Sequence, residues 1–295
     1  MTRMHDDEVV ISDETVRGLI EDQLPAHASD PIVRLAPTGT DNQLFRLGED
    51  LVIRMPRIPG AASAPAWEHR WLPALAPHLS IPIPAPLVLG RPGHGYPWAW
   101  TVVPWFDGQE PTPASIDLDE WAVGLGSFVR ELRRVPAMNA PVKDEGRGGP
   151  LASLDEWVRR WTARVDPSVV DRQAVLALWD DALAAPAWPG EPVWFHGDLH
   201  EGNLVVRDGR LRAVIDWGVA GRGDPAVELN VMWGFLPESV AELYRDTVGL
   251  DVAAYRRGRG HALAPAISGV TYYRDSAPHL SALGLAAVQA LLASS

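Results

Sequence analysis

Two short stretches carry most of the chemistry that this chain can offer. One is His196-Gly197-Asp198-Leu199-His200-Glu201-Gly202-Asn203, and the other is Ile215-Asp216-Trp217-Gly218. Together they supply three carboxylates, a side-chain amide and two imidazoles. Asp208-Gly209 lies between them and is a strong two-residue hairpin signal. Pairing outward from that turn sets Arg207 against Arg210 and Asn203 against Val214. Asp216 then shares a sheet face with Asn203 as a diagonal neighbour, at roughly 7–8 Å between Cβ atoms. An amide oxygen and a carboxylate at that separation can share a magnesium ion, which takes oxygen ligands. A zinc site on His196 and His200 is disfavoured, because a spacing of four converges only on a helix and strands bracket this loop.

Asp198 stands five residues before Asn203. A carboxylate there can accept a proton from an incoming hydroxyl while a metal neutralises phosphates. One orienting Asp, one Asn on metal and one Asp on metal is the division of labour in phosphoryl transfer. The protein-kinase catalytic loop has the same order, His-Arg-Asp-Leu, three residues, then Asn. Here Gly197 replaces the Arg, which argues against a protein kinase regulated through an activation-loop phosphate.

His196 to Asn203, with Val214-Ile215-Asp216-Trp217 and Gly223-Asp224-Pro225, resembles the aminoglycoside phosphotransferase family. The resemblance runs from about the Gly39 loop to the C-terminus. It implies a kinase-like fold, with Asp198 as the catalytic aspartate and Asn203 and Asp216 on magnesium. It also implies a nucleotide between two lobes. The motif speaks for phosphotransfer but not for one substrate, since members act on aminoglycosides, macrolides and other hydroxylated small molecules. His196 is expected to brace the loop through backbone hydrogen bonds. His200 is left open between bracing and facing substrate. Asp224, just before Pro225, is expected to cap a helix, with Glu228 near its third position.

The same fold implies a basic residue on its third strand, paired with a helix glutamate. Arg54, in Val52-Ile53-Arg54-Met55, and Glu68 match those positions. The family commonly has lysine there. Lys143 is the chain's only lysine and falls in a loop. Arginine still donates to phosphate and can grip a carboxylate with two N–H groups. Thr40, in Thr38-Gly39-Thr40-Asp41-Asn42, is placed over the phosphates, although the loop has a single glycine. Backbone groups near Val103 and Trp105 are placed against a purine edge.

Several elements must position these residues. Ser12 to Leu24 reads as a helix capped by Ser12. Ile32–Ala36, Gln43–Leu47, Leu51–Met55 and Ala99–Val103 read as strands. Trp67–Leu75 reads as a helix that meets Pro73, and Pro77–Pro97 as an extended, proline-rich edge. Leu118, Trp121, Leu125, Phe128, Val129 and Leu132 recur at helical spacing until Pro136. Ala137–Pro150 reads as a loop. Ser153 and Glu156 form a capping-box pair before a further helix. Val169–Leu183 reads as a helix, Trp194–Asp216 as a strand pair, and the chain after Asp224 as helices. The expected class is α+β and bilobal, protein-kinase-like, with an antiparallel-sheet nucleotide lobe over residues 1–103 and a larger helical lobe over 104–295.

The whole chain narrows the partners. Its 295 residues allow two coupled lobes. Cysteine is absent, which removes disulfides and thiolate metal sites. No long apolar run is free of charge and proline, so no membrane span is expected, and the N-terminus lacks the order of a signal peptide. A net charge of −12 disfavours nucleic acid and anionic membrane and attracts cations. The expectation is a cytoplasmic, monomeric kinase of small molecules. It uses Mg2+ with ATP or GTP and acts on a hydroxyl of a cationic acceptor, with antibiotic resistance as one role. The alternatives are a macrolide or metabolic kinase of the same fold and a non-catalytic nucleotide-binding pseudokinase.

Overall fold

The computed structural model describes residues 7–35 and 41–294, apart from the side chain of Glu238. In chain order the elements begin with α1 (Asp13–Gln23), β1 (Ile32–Arg34), β2 (Asn42–Leu47), β3 (Leu51–Pro56), α2 (Ala64–Leu75), β4 (Val88–Gly90) and β5 (Trp100–Pro104). Then come α3 (Leu118–Arg134), α4 (Asp155–Thr162), α5 (Arg172–Ala184), β6 (Val193–Phe195), β7 (Leu204–Arg207), β8 (Arg210–Val214) and β9 (Gly221–Gly223). The chain ends with α6 (Val231–Gly234), α7 (Glu238–Val248), α8 (Val252–Tyr272) and α9 (Pro278–Ala293). Contacts group the chain into two units. The first is Met1–Glu110 with Val205–Arg207 and Arg212–Gly218, and the second is Pro111–Leu204, Asp208–Leu211 and Val219–Ser295. The sequence reading has one cut, after residue 103. The grouping runs seven residues further and divides the β7–β8 hairpin. No helix among the described residues is long and apolar enough to cross a membrane.

The first unit is a five-stranded antiparallel sheet in the order β1-β2-β3-β5-β4. Ser12 caps α1 by accepting from Thr15 N at 3.0 Å, and Asp13 and Glu14 occupy the positive first turn. Val16, Leu19 and Ile20 of α1 pack with Phe45, Leu47, Ile53 and Met55 into one core. Strand side chains alternate between faces, so Val52 and Arg54 point opposite to Ile53 and Met55. Both sets are buried. This is how an arginine inside an apolar strand comes to lie under cover. α2 runs through Pro73, which sits on its exposed side and ends nothing until two residues later. The proline-rich edge contributes the short strand β4.

In the second unit Asp117 caps α3, and Trp121, Leu125, Phe128, Val129 and Leu132 form its buried stripe. Three local readings change. The Ser153–Glu156 capping box does not form: α4 has no side-chain cap, and Ser153 Oγ instead donates to Pro150 O and accepts from Gly146 N. The helix read over 169–183 begins at Arg172 behind an Asp171 cap. Trp194 belongs to β6, which pairs with β9 and not with the hairpin.

α8 lies at the centre of this unit, packed by α4, α5, α9 and the 3-10 segment Pro225–Asn230. It is buried around most of its circumference, so it shows little amphipathic period. His261 of α8 is buried with neither ring nitrogen hydrogen-bonded, 4.0 Å from Asp224 and one turn beyond Arg257. Burial lowers its pKa to about 4, against the pull of Asp224. The unfolded chain therefore binds this proton more readily between about 6.5 and 4, so stability is lost as pH falls through that window. The contribution is about 3 kcal/mol at 1.36 kcal/mol per unit. Thermal or urea unfolding between pH 7 and 4.5 should show His261→Leu losing less stability on acidification than the parent. Parallel curves for the two proteins are the contrary result.

Candidate active site

β6 carries the chain into the 196–203 loop, and nearly every turn of that loop is tied down. Glu228, fully buried, accepts from His196 N through Oε1 at 2.5 Å and from Gly197 N through Oε2 at 3.1 Å. His196 Nδ1 accepts from Asp198 N at 3.2 Å, and His200 Nδ1 accepts from Gly202 N at 3.1 Å. Asn203 Nδ2 donates to Asp198 O, and Asn230 Nδ2 to Leu199 O, each at 2.9 Å. Both imidazoles thus serve the backbone, and His200 still lies 3.9 Å from Asp198 Oδ2 through Nε2.

The Asp198 carboxyl is ion-paired by Arg147, whose Nη1 reaches Oδ1 and also the carbonyl of Gly197 at 3.3 Å. Burial pushes the carboxyl pKa up, but Arg147, His200 and His196 outweigh it and leave the group below the usual aspartate value. Asp198 is therefore an ionised acceptor at neutral pH. For Glu228 burial prevails and raises the pKa to about 7, with the two N–H bonds opposing. A Glu228 at the third helical position was expected to help cap its own segment. It instead clamps the 196–197 backbone from a fully buried position.

In the first unit Arg54 bridges two carboxylates. Its Nη1 donates to both oxygens of Glu68 at 3.1 Å, and its Nη2 donates to Asp216 Oδ1 at 3.0 Å. Burial alone lowers the guanidinium pKa, but the two carboxylates raise it overall, so Arg54 stays charged. Asp216 follows β8 with φ +60°, in the left-handed region that Asp tolerates better than most residues. The Asp208-Gly209 turn has positive φ at both positions, as a tight hairpin turn requires. Asn203 lies in a 3-10 turn before β7 and Asp216 beyond β8, so strand alternation does not extend to either. Val103 is buried in β5 opposite Val52, and the backbone N–H of Trp105 is committed to Asp50 O at 2.7 Å. The Trp105 ring lies under the Arg46 guanidinium at 3.9 Å. Thr40 lies outside the described residues.

Asp224 accepts from Ala226 N at 3.0 Å at the start of the 3-10 segment and is held by Arg257 Nε at 2.6 Å. Two contributors escaped the sequence reading, Arg147 and the Glu228 clamp. The only local trace of the first is one arginine between glycines in Gly146-Arg147-Gly148-Gly149. Nothing in the sequence marks the second. Among the described residues no group of three or more His, Asp or Glu could hold a metal alone. Asn203 and Asp216 offer the oxygen donors that magnesium prefers. With its Nδ2 committed to Asp198 O, Asn203 has Oδ1 left for a cation.

The model of the phosphotransferase enzyme family (APH) matches residues 32–261. No curated protein matches the chain. Among solved structures, wild-type aminoglycoside 2'-phosphotransferase-IIIa in its GDP complex is similar at TM-score 0.77 and 19% identity, covering 96% of this chain and 99% of that one. A GDP and kanamycin complex of APH(2")-IIIa gives TM-score 0.75 and 20% identity over 95% and 98%. The macrolide 2'-phosphotransferase of Brachybacterium faecium gives TM-score 0.62 and 23% identity over 94% and 98%. These likenesses establish a shared fold, of the kinase-like kind expected from the 196–203 and 214–217 stretches. The family match spans both units, and the chain belongs to the phosphotransferase enzyme family.

Proposed function

We propose that this protein transfers the γ-phosphoryl group of ATP or GTP, with magnesium, to a hydroxyl of a small cationic molecule, an aminoglycoside-type antibiotic being one candidate. The observation that carries the reading is the braced loop, which presents an ionised Asp198 five residues before Asn203 in a family of phosphotransferases. Asp198 accepts the acceptor's hydroxyl hydrogen and orients its oxygen. Asn203 and Asp216 hold the metal, which when bound neutralises charge on the phosphates. Arg54, steadied by Glu68, donates to the nucleotide phosphates, and groups near Thr40, Val103 and Trp105 bind the rest of the nucleotide. His196, His200 and Asp224 support the loop. The net charge of −12 favours a cationic acceptor, and a kanamycin complex of a similar structure supports that choice. On this reading the protein works in the cytoplasm as a monomer and confers resistance where its acceptor is an antibiotic.

A second reading has a specific observation behind it. Arg54 engages Asp216 Oδ1, a proposed metal ligand, and a guanidinium kept there would leave a nucleotide-binding protein without turnover. Purified protein incubated with magnesium, ATP or GTP, and a panel of aminoglycosides, macrolides and metabolic alcohols separates the two by mass spectrometry. An acceptor about 80 Da heavier, with matching release of nucleoside diphosphate, is the expected outcome at roughly one phosphate per acceptor. Nucleotide binding with no adduct across the panel favours the second reading, and no nucleotide binding defeats both.

A further inference from the structure

The Asp198 carboxylate has a cationic neighbour that the 196–203 motif does not contain. Gly197 precedes Asp198 directly, and Arg147 reaches it from fifty-one positions earlier in the chain. Its backbone is firmly built. Gly146 and Gly148 have φ +71° and +75°, conformations that suit glycine and strain other residues. Gly149 N donates to Gly146 O at 3.1 Å, Gly146 N to Ser153 Oγ at 3.2 Å, and Asp224 N to Gly148 O at 2.8 Å. A Cβ on Gly148 would overlap the Phe195 ring of β6. The turn is therefore held from both ends, by the start of the α4 region and by the strand pair that launches the loop. From it one guanidinium nitrogen reaches two places on the loop, Asp198 Oδ1 and Gly197 O. An ordinary surface ion pair needs none of this scaffolding.

We propose that Arg147 is a positioning residue for phosphoryl transfer: it fixes the Asp198 carboxylate through Oδ1 and leaves Oδ2 to take the acceptor hydroxyl. The proposal rests on the phosphotransferase reading above. In the step it serves, the acceptor O–H bond breaks as its oxygen bonds the γ-phosphorus and the P–O bond to the leaving nucleoside diphosphate breaks. The proton passes to Asp198 and then to solvent. Arg147 touches neither phosphorus nor acceptor. Its effect is to remove rotational freedom from Asp198, and misplacing such a group can cost up to about a hundredfold in rate.

The test compares the parent, Arg147→Ala and Arg147→Lys with magnesium, ATP or GTP and the acceptor that gives an adduct with the parent. Unfolding temperature is measured alongside. Arg147→Ala should lose about ten- to a hundredfold in kcat, with the nucleotide KM unchanged. Arg147→Lys should fall between, and millimolar methylguanidinium should restore part of the rate of Arg147→Ala without raising that of the parent. An unchanged kcat overturns the proposal. So does a faster Arg147→Ala, which would mark the arginine as a cap that the acceptor must displace. A loss seen only in KM, or one that tracks lowered unfolding temperature without rescue, also overturns it. A parent that transfers phosphate while Arg147 proves neutral sinks this proposal alone. A parent with no transfer to any acceptor sinks the phosphotransferase reading and this proposal with it.

Discussion

Replacing Asp198 by Asn should reduce phosphotransfer at least about a thousandfold while leaving nucleotide affinity within a few-fold of the parent. The carboxylate keeps part of its surface open, at 29%, and is held by Arg147 and the braced loop, whereas Glu228 is sealed behind that loop. Asn has nearly the same shape, so the backbone bonds of His196, Asn203 and Glu228 persist. What disappears is the negative charge that, on the proposed mechanism, accepts the hydroxyl proton. Arg147 then faces a neutral amide in a partly exposed site, a change worth no more than about 1 kcal/mol in stability. Single-turnover assays alongside nucleotide titration measure the two halves of this prediction separately. A variant that retains a tenth of the parental rate would show that positioning, rather than the carboxylate, carries the reaction.

Replacing Glu228 by Leu should harm both stability and catalysis, and the stability loss should depend on pH with an unusual sign. Its two oxygens satisfy the N–H groups of His196 and Gly197, and Leu would leave both buried without acceptors. Each buried, unsatisfied group costs about 1–3 kcal/mol. The carboxyl pKa is raised to about 7 from an ordinary value near 4.5, so between those limits the folded protein binds a proton that the unfolded chain has released. Stability conferred by this group is therefore present at pH 5 and falls as pH rises through 7, by about 3 kcal/mol in total. The penalty of Glu228→Leu should accordingly be larger at pH 5 than at pH 8. Glu228→Gln, which keeps one acceptor, should lie between the variant and the parent in stability. Urea unfolding at the two pH values checks the sign. A penalty that grows toward pH 8 would mean that the carboxylate is stabilised in its charged form. Because the clamp sits two residues before Asp198, kcat should fall in both variants even where they are fully folded. The window opposes that of His261, whose burial penalises acid, so the parent's net dependence between pH 4.5 and 6.5 should be flatter than that of either variant.

Much of the local structure was written in short-range patterns. Ser12 caps its helix as read, because a side-chain oxygen three residues from a free N–H closes on it without outside help, whereas the Asp171 cap that moves the start of α5 was not read. β2 and β3 form close to where strands were read, and the structure pairs them antiparallel about the turn that contains Gly48. The Asp208-Gly209 turn forms because both residues accept positive φ. The 196–203 motif likewise identified the family, since its residue order reflects a chemistry that leaves little freedom of sequence. Pairings across larger separations were not legible. β9 is three residues long, with two glycines, and carries no strand signal, so its pairing with β6 comes from tertiary contact. Ser153 abandoned its capping box because Gly146 N and Pro150 O offered bonds that only the folded loop presents. The strand position of Arg54 and the helix position of Glu68 were readable, but the second arm of Arg54, onto Asp216 across 162 positions, was not. The most consequential contacts of the loop, Arg147 on Asp198 and Glu228 on the 196–197 backbone, span 51 and 32 positions or fewer. The sequence by itself determined the family and the order of residue types in its motif, because these depend on residue type and order. Only tertiary structure decided which charges stand beside them, because ion pairing and desolvation depend on distance and burial, which a linear order does not encode.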